Sequence, residues 1–376
     1  GMPTISVRDL AIQKRENDLV AATFGRSFYI LDDYSPLRAI SEENLAKGDQ
    51  LFPIEKALQY VQERGGTSSQ GASFYTAKNP TYGAQFTYYI SDDAKTMKAV
   101  RTTSEKKLKK DKKDIPFPGW EALDAEDFEK KPQAILRVTD PSGKVLMEIS
   151  GAYTKGIHRK HWDLRERLAS ALDIYSSRDS GTGLRSDVAP GTYYVQLFKK
   201  HNGALLQLTE KEAFEVARLR QNVLTNPKAA SHNAYKPKLN ALYVKSEIMD
   251  KKLEKTKKKI AALSKAIGFA QANQDVLHKT VYDLQKQQYD LERKIDGSDA
   301  KGEVGEKDTP TLSFRISVAS RGFYSNTYGP TAMHMESHDM AVALLNELAP
   351  QVDALAAATA KAISDSEALG LPVIID

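Results

Sequence analysis

The sequence predicts a multidomain protein of α and β structure: a short β-meander, an antiparallel β-sandwich and a C-terminal antiparallel helical bundle. Three observations predict this fold class. Three alternating apolar runs fall near the start of the chain, about seven more lie between residues 74 and 216, and a heptad repeat begins at Leu242. A chain of 376 residues is also too long for one ordinary core, so several domains are expected.

Composition excludes several classes of protein. Hydrophobic residues make up 41% of the chain, and no apolar run approaches the length of a membrane span. The absence of cysteine removes disulfides, thiolate catalysis and cysteine-ligated metals. The first residues lack the pattern of a signal peptide. Gly1 before Met2 is typical of a residue left by tag removal, so we expect a piece of a longer protein.

The first predicted domain, residues 1–50, is the meander with its connector. The runs "ISVRDLAIQ", "LVAATF" and "SFYILDD" read as three adjacent strands separated by turns. A lone three-stranded sheet is only marginally stable in water. We therefore predict that its exposed face packs on the sandwich or the bundle, or pairs with another copy of the chain.

The second predicted domain, residues 51–220, is the sandwich. "QAILRVTDPSGKVLMEISG" predicts a hairpin with strands at 133–139 and 144–149, and Pro190-Gly191 marks a turn into "TYYVQLF". Further turns divide the domain into about seven short antiparallel strands, as in a sandwich. Stretches rich in Gly and Ser at 65–73 and 177–187 are predicted loops.

The third predicted domain, residues 221–376, is helical. Apolar or small residues recur at heptad spacing over 242–267 and again over 277–295, which predicts a helical hairpin broken near 268–273. A short helix is expected to start at Pro310 with Thr309 as its cap. A long helix follows, with a kink near Pro350 and its end at Gly370. Alternatively, the hairpin at 242–295 pairs with its copy in another chain and forms a homodimer.

The net charge of +5 is concentrated in two lysine-dense runs, 104–114 and 250–260. Such runs bind nucleic acid or an anionic membrane, or are simply solvated. They contain no arginine and no aromatic residue, which nucleic-acid recognition favours. We therefore expect no nucleic-acid partner. The first run is predicted as a basic loop near 104–118, and the second as a solvated helix face.

The run "VRDLAIQKRENDLVAATFGRSFYILDDYSPLR", residues 7–38, resembles the last blade of sortilin-like, BNR-type β-propellers in large bacterial proteins, which are often labelled glycosyl-hydrolase-like. It departs from that pattern at Phe24, where the family often has His. "GIHRKHWDLR" with "APGTYYVQL" resembles the Ig-like β-sandwich of these proteins, and "YGPTAMH" resembles the start of their helical tail.

The resemblance implies a propeller-blade remnant followed by an Ig-like β-sandwich and a helical bundle. It implies a non-catalytic C-terminal accessory region of a secreted or periplasmic propeller protein, which braces the propeller or binds a protein or glycan. The rest of the parent propeller is then the main partner, and no cofactor is expected. The alternative is part of a glycoside hydrolase with a carbohydrate site between the sandwich and the propeller or bundle. No Asp-box is present, and the sequence selects no pair of carboxyls for that chemistry.

"GIHRKHWDLR" also holds a candidate binding site formed by His158, His161, Trp162 and Asp163. Trp162 would be the platform on which a sugar ring or peptide stacks. The alternative is a strand that buries Trp162 and Leu164, with residues 159, 161, 163 and 165 on the opposite face.

A candidate metal site lies at His334 and His338, near the start of the last helix. Their i,i+4 spacing puts both imidazoles on one helix face, as zinc-binding helices do. No third ligand is apparent, so the alternative is a polar face on which each histidine meets an acidic neighbour.

Overall fold

The computed structural model describes residues 2–60, 79–168, 185–220, 229–269, 275–306, 308–324 and 329–371. The protein is of mixed α and β structure, with eight α-helices and mainly antiparallel sheets in these ranges. The predicted loop at 65–73, and that at 177–187 apart from its last three residues, lie outside the described residues.

The chain divides into two compact units. The sheet unit contains Gly1–Glu166 and Asp187–Gln221, and the helical unit contains Arg167–Ser186 and Asn222–Asp376. The division after Gln221 falls at the predicted start of the helical domain. Residues 1–50, which were predicted as a separate domain, belong to the sheet unit.

The chain begins with the predicted three-stranded meander. Its strands are β1 (Val7–Gln13), β2 (Asp18–Thr23) and β3 (Phe28–Leu31), paired antiparallel in sequence order. A 3₁₀-helix (Ser35–Ala39) and the short helix α1 (Glu42–Leu45) carry the chain away from β3. The alternating pattern thus predicted these three strands correctly.

Eleven further strands are described between residues 50 and 218, of which β10 and β11 lie at the boundary between the two units. They are β4 (Gln50–Leu51), β5 (Ala57–Gln59), β6 (Ala84–Ile90), β7 (Gln133–Thr139), β8 (Val145–Ala152), β9 (Gly156–Trp162), β10 (Arg165–Arg167), β11 (Arg185–Asp187), β12 (Gly191–His201), β13 (Ala204–Gln207) and β14 (Glu212–Arg218).

These strands form a three-stranded sheet in the order β4-β6-β9 and a larger sheet in the order β5-β14-β12-β7-β8, with β13 paired to β12. Strands β10 and β11 pair with each other. The hairpin predicted at 133–149 is confirmed as β7 and β8.

The β4-β6-β9 sheet and the larger sheet share one hydrophobic core. Phe86 and Trp162 come from the three-stranded sheet, and Leu136, Leu197 and Phe214 come from the larger one. The rings of Phe86 and Phe214 lie 5.4 Å apart, edge to face. Side chains at alternate strand positions therefore meet in this core, as strand geometry requires.

The predicted basic loop near 104–118 is wrong in its first half. Residues 104–110 belong to helix α2 (Met97–Lys110), and helix α3 (Trp120–Phe128) follows a connection at 111–119. Thr96 caps α2, because its side chain accepts a hydrogen bond from the Ala99 amide. Lysine is a good helix former, so a lysine-dense run extends this helix readily.

The helical unit contains α4 (Ala229–Ile267), α5 (Asp275–Asp296), α6 (Asp299–Glu303), α7 (Leu312–Tyr324) and α8 (Ala332–Ala368). Its heptad prediction is confirmed, because all eight predicted seam positions in α4 are at most 8% exposed: Leu242, Ser246, Met249, Leu253, Thr256, Ile260, Leu263 and Ile267. The matching apolar positions of α5 are buried as well.

The start and the cap of α7 differ from the prediction. Helix α7 starts at Leu312 and not at Pro310, and the Phe314 amide donates to the side-chain hydroxyl of Thr311. Thr311 therefore fills the capping position that was predicted for Thr309. Pro350 lies within α8, and Gly370 follows the end of that helix with a φ of 79°.

Candidate functional site

The β1–β3 sheet has an apolar first face that lies in solvent. Strand register places Leu10, Ala21 and Tyr29 side by side on this face, and Ile12 pairs with Leu19 in the next row. Leu10 is 60% exposed and Ile12 is 49% exposed. The first face therefore offers large aliphatic side chains to water.

The second face of the same sheet also exposes large apolar side chains, next to the polar residues Asp9, Gln13 and Asp18. Register aligns Ala11, Val20 and Ile30, and pairs Ala22 with Phe28. Ile30 is 60% exposed and Phe28 is 67% exposed. A sheet that covers a core normally hides at least one of its faces, so large apolar side chains exposed on both faces are unusual.

Within the described strands β1–β3, Ala21 alone is buried. The apolar faces of the meander are therefore not packed on the sandwich, whereas packing on the bundle and pairing with another copy stay predictions. The physical reason is that polar contacts at the turn and exit of the meander, and not its apolar faces, attach it to the unit.

Arg159 makes the main attachment. Its guanidinium donates hydrogen bonds to the backbone carbonyls of Asp32, at 2.8 Å, and Asp33. Arg159 projects toward these groups because β9 pairs with β6, which puts Arg159 opposite Thr87 on the face that points away from Phe86 and Tyr88. A charged donor thus closes the end of β3, where the chain leaves the meander.

Side chains extend this attachment into a chain of hydrogen bonds. The side-chain Nε2 of Gln85 donates to Asp33 Oδ2 at 3.2 Å, and the side-chain Oε1 of Gln85 lies 3.0 Å from His161 Nε2. The other Asp33 carboxylate oxygen accepts from the Ser35 amide at 3.1 Å. Asp33 therefore links the exit of the meander to strands β6 and β9. We call Arg159, His161, Gln85 and Asp33 the polar anchor.

A second contact fixes the turn between β1 and β2. The Asn17 side-chain amide donates to the Glu55 carboxylate, and the Tyr34 amide donates to the Asn17 carbonyl at 2.8 Å. Asn17 has a φ of 53°, a left-handed conformation that asparagine tolerates better than most residues. Its side chain therefore both permits the turn and reaches the segment after β4.

Burial and like charges shift the pKa values around the anchor. Burial raises the pKa of Glu55, and the Asp33 carboxylate raises it further. Burial also raises the pKa of Asp32, followed by the effect of Asp18, against the opposing effect of Arg159. Burial and the Arg159 charge lower the pKa of His161, which favours the neutral imidazole at the end of the network.

Trp162, the predicted stacking platform, is 1% exposed. Its ring lies 5.6 Å from that of Tyr193, and its Nε1 donates to the Arg165 carbonyl at 2.8 Å. A ligand cannot stack on this ring, so that part of the predicted site is wrong. The alternative is confirmed, because Trp162 and Leu164, which is 0% exposed, are both buried.

The remaining residues of that predicted site do not meet at one surface. His158 lies on the strand face of Trp162, with its Nε2 2.7 Å from the Thr154 carbonyl, whereas His161 lies on the face of the polar anchor. The Asp163 carboxylate accepts from the Arg165 amide at 3.3 Å. Sequence reasoning missed Arg159, Gln85 and Asp33, although the predicted alternation placed 159 and 161 together.

The two histidines of the predicted metal site have separate local roles. His334 Nδ1 accepts from the Thr331 amide at 3.1 Å and completes the cap of α8. His338 is 8% exposed, with Nδ1 3.0 Å from the Asp339 carboxylate and its ring 5.6 Å from that of Tyr235. Among the described residues, no three His, Cys, Asp or Glu side chains are grouped as metal ligands. The metal site stays a prediction.

Comparisons of the chain with protein-family models, curated proteins and solved structures found no match. In the described ranges, no helix has both the length and the apolar character needed to cross a membrane. The glycoside-hydrolase alternative loses Trp162 as a stacking residue and otherwise stays a prediction. The exposed β1–β3 sheet and its polar anchor are the features from which a function can be argued.

Proposed function

We propose that this chain is a non-catalytic C-terminal accessory region of a larger secreted or periplasmic β-propeller protein. In this proposal, β1–β3 belong to one propeller blade, and the rest of the chain braces the propeller or presents a surface to a protein or glycan. The observation that carries the proposal is the exposure of apolar side chains on both faces of the β1–β3 sheet, including Leu10 on one face and Ile30 on the other.

Both faces matter because of how a propeller is built. Its blades are small antiparallel sheets set radially around an axis, so each blade is covered by a neighbour on each side. Its strands then need apolar residues at successive positions, as in "YIL" of β3, where Tyr29 and Ile30 point to opposite faces. A surface sheet with one free face would instead carry polar residues there.

The polar anchor supports a bracing role. Arg159 holds two consecutive carbonyls at the end of β3, and Gln85 holds the Asp33 side chain. Charged donors bonded to backbone carbonyls fix direction as well as distance. A blade attached in this way keeps its orientation relative to β6 and β9 while both of its faces remain open to neighbouring blades.

The proposal includes a finer description of the two units. We assign the shared core between the β4-β6-β9 sheet and the larger sheet to an Ig-like β-sandwich, supported by the burial of Trp162 against Phe214. We assign α4, α5 and α8 to an antiparallel bundle, supported by their common apolar cluster.

The native gene product tests this proposal. An antibody raised against the chain should detect, in the source cells, a protein much larger than 41.7 kDa. The sequence of its gene should encode a signal peptide and several propeller repeats ahead of Gly1. A native product of about the same mass as this chain would contradict the proposal. In that case, a doubled mass in solution would favour the homodimer as the cover for the β1–β3 sheet.

A further inference from the structure

Helices α2 and α3 form a hairpin that ends in a basic, aromatic tip. We call residues 106–120 the basic tip. Three of its apolar side chains are exposed: Ile115 by 47%, Phe117 by 62% and Trp120 by 74%. No residue described in α2 or α3 is buried. The tip also carries six exposed lysines, at positions 106, 107, 109, 110, 112 and 113.

The lysines of the tip outnumber its acidic residues by six to two. No carboxylate in the described ranges forms an ion pair with any of these six lysines. Two acidic residues, Asp111 and Asp114, lie among these lysines, and the neighbouring Glu105 is already paired with Arg101 at 2.6 Å. The tip therefore presents a net positive surface, which attracts anionic partners most strongly at low ionic strength.

The tip has a defined shape. The Lys113 amide donates to the Leu108 carbonyl at 2.9 Å, and Lys112 has a φ of 54°, so the end of α2 closes in a left-handed cap. The rings of Phe117 and Trp120 pack edge to face with centroids 5.1 Å apart. Lysines and aromatic rings are therefore presented together before any ligand binds.

Ion pairs hold the other end of the hairpin and engage three of its acidic residues. Arg101 makes a bidentate contact with Glu126 at 2.7 and 2.8 Å, which lowers the pKa of Glu126. Glu129 accepts from the Met97 amide at 2.6 Å and lies 3.1 Å from His201 Nε2. Glu105, Glu126 and Glu129 are thus engaged at the base of the hairpin, whereas the exposed Glu121 and Asp124 of α3 offset part of the positive charge of the tip.

We propose that the basic tip binds the surface of a membrane that contains anionic phospholipid. The lysines would contact the headgroups, and Ile115, Phe117 and Trp120 would enter the boundary between headgroups and acyl chains. Tryptophan is enriched at that depth, and each lysine near an anionic surface strengthens binding by about fivefold. Binding of this kind needs no membrane-spanning helix.

The composition of the tip favours a membrane over a nucleic acid. Its cations are all lysines, which act as point charges and do not read bases as arginine does. Its aromatic pair is accompanied by the aliphatic Ile115, and side chains of that kind gain by leaving water for lipid. The tip shares no residue with the polar anchor, so this inference goes beyond the proposed function and does not depend on it.

The chain has its own optical probe for this binding. It contains two tryptophans, of which Trp162 is 1% exposed and Trp120 is 74% exposed. A blue shift in tryptophan emission when vesicles are added therefore reports Trp120 entering an apolar layer. We expect the shift with vesicles of phosphatidylglycerol and phosphatidylcholine, little shift with phosphatidylcholine alone, and reversal in about 1 M salt, where charges are screened beyond about 3 Å.

Two triple variants with the same change in net charge give the matched comparison. Replacing Lys109, Lys110 and Lys112 by Gln should weaken vesicle binding by about 100-fold, at about fivefold for each lysine. Replacing Lys255, Lys258 and Lys259 of α4 by Gln should leave binding nearly unchanged. Vesicle co-sedimentation measures both, and circular dichroism checks that each variant is folded.

The apolar part of the tip needs its own variant. Phe117→Ser should weaken binding to the anionic vesicles while keeping every lysine. Absence of vesicle binding by the unaltered chain would overturn the proposal. So would equal losses in the two triple variants, or a change in Trp120 emission with a short oligonucleotide but not with vesicles. These outcomes leave the propeller proposal untouched, because that one is tested by the native gene product.

Discussion

The β1–β3 sheet and the β7-β8-β12 region of the larger sheet come from one chain and show the same alternation of side chains, yet they differ in burial. Leu136 in β7 is 0% exposed, whereas Leu10 in β1 is 60% exposed. Alternation therefore determines that a strand forms, and a second layer determines whether its apolar face is covered. Among the described residues of the sheet unit, the larger sheet has that layer and the β1–β3 sheet does not.

The two regions are also held by different forces. The larger sheet belongs to a continuous apolar core, in which Leu136, Val195 and Phe214 are buried together. The β1–β3 sheet is held at its turn and exit by hydrogen bonds from Arg159, Gln85 and Asn17. We expect core packing to dominate the stability of the larger sheet. We expect directional polar contacts to determine the position of the β1–β3 sheet.

The largest expected effect comes from matched Leu→Ala changes in the two sheets. Leu136→Ala should lower the free energy of unfolding of the sheet unit by about 2–5 kcal/mol, because it leaves a cavity in a closed core. Leu10→Ala should change it by at most about 0.5 kcal/mol, because the side chain is already in water. Urea unfolding followed by the emission of buried Trp162 measures both values. Equal costs would contradict the difference in burial between the two sheets.

The next effect concerns the polar anchor. Arg159→Ala should increase amide hydrogen exchange across residues 7–31, equivalent to about 1–2 kcal/mol of local opening, because two charge-assisted hydrogen bonds are lost. Arg159→Lys should have an intermediate effect, since an ammonium lacks the forked geometry. Arg137→Ala is the control, because Arg137 pairs with Glu148 in the same unit at 2.7 Å. If Arg137→Ala loosens the meander equally, Arg159 is not its anchor.

The smallest effect is a pH dependence of the contact between Asn17 and Glu55. Because burial raises the pKa of Glu55, the folded state favours the protonated carboxyl. The contribution to stability is therefore greatest below the ordinary pKa of 4.5 and is lost as pH rises through the folded value. We expect less than about 1 kcal/mol, because solvent screens this half-buried group. Glu55→Gln should abolish this pH dependence. The measurement is the protection of the meander amides against hydrogen exchange, relative to their intrinsic rates at each pH, and lower protection at low pH would contradict the prediction.

Regular patterns made most of the fold predictable. The heptad spacing recurs several times from Leu242 to Ile267, and 133–149 contain two alternating runs on either side of a turn. Both predictions were confirmed. The lysine-dense run at 104–110 forms a helix where a loop was predicted, because the high helix propensity of lysine outweighs the repulsion between like charges. The start of α7 was misplaced by two residues, because two threonines near Pro310 offer similar caps.

The polar anchor could not be predicted from the sequence, because its residues are far apart in the chain. Arg159 reaches carbonyls more than a hundred residues earlier, and no local pattern specifies that distance. Trp162 shows the opposite limit: its residue type suits both a core and a binding surface, and only the packing against Tyr193 and Phe214 decides between them.

Cysteine labelling of both sheet faces tests the central claim most directly. The chain contains no cysteine, so Leu10→Cys, Ile30→Cys and, as an exposed control in β8, Val145→Cys each introduce a single thiol. In the 376-residue chain all three should react with a maleimide at similar rates. In the longer propeller protein that we propose, the thiols at 10 and 30 should be protected by neighbouring blades while the thiol at 145 stays reactive. Unchanged reactivity of all three thiols in the native protein would contradict the account.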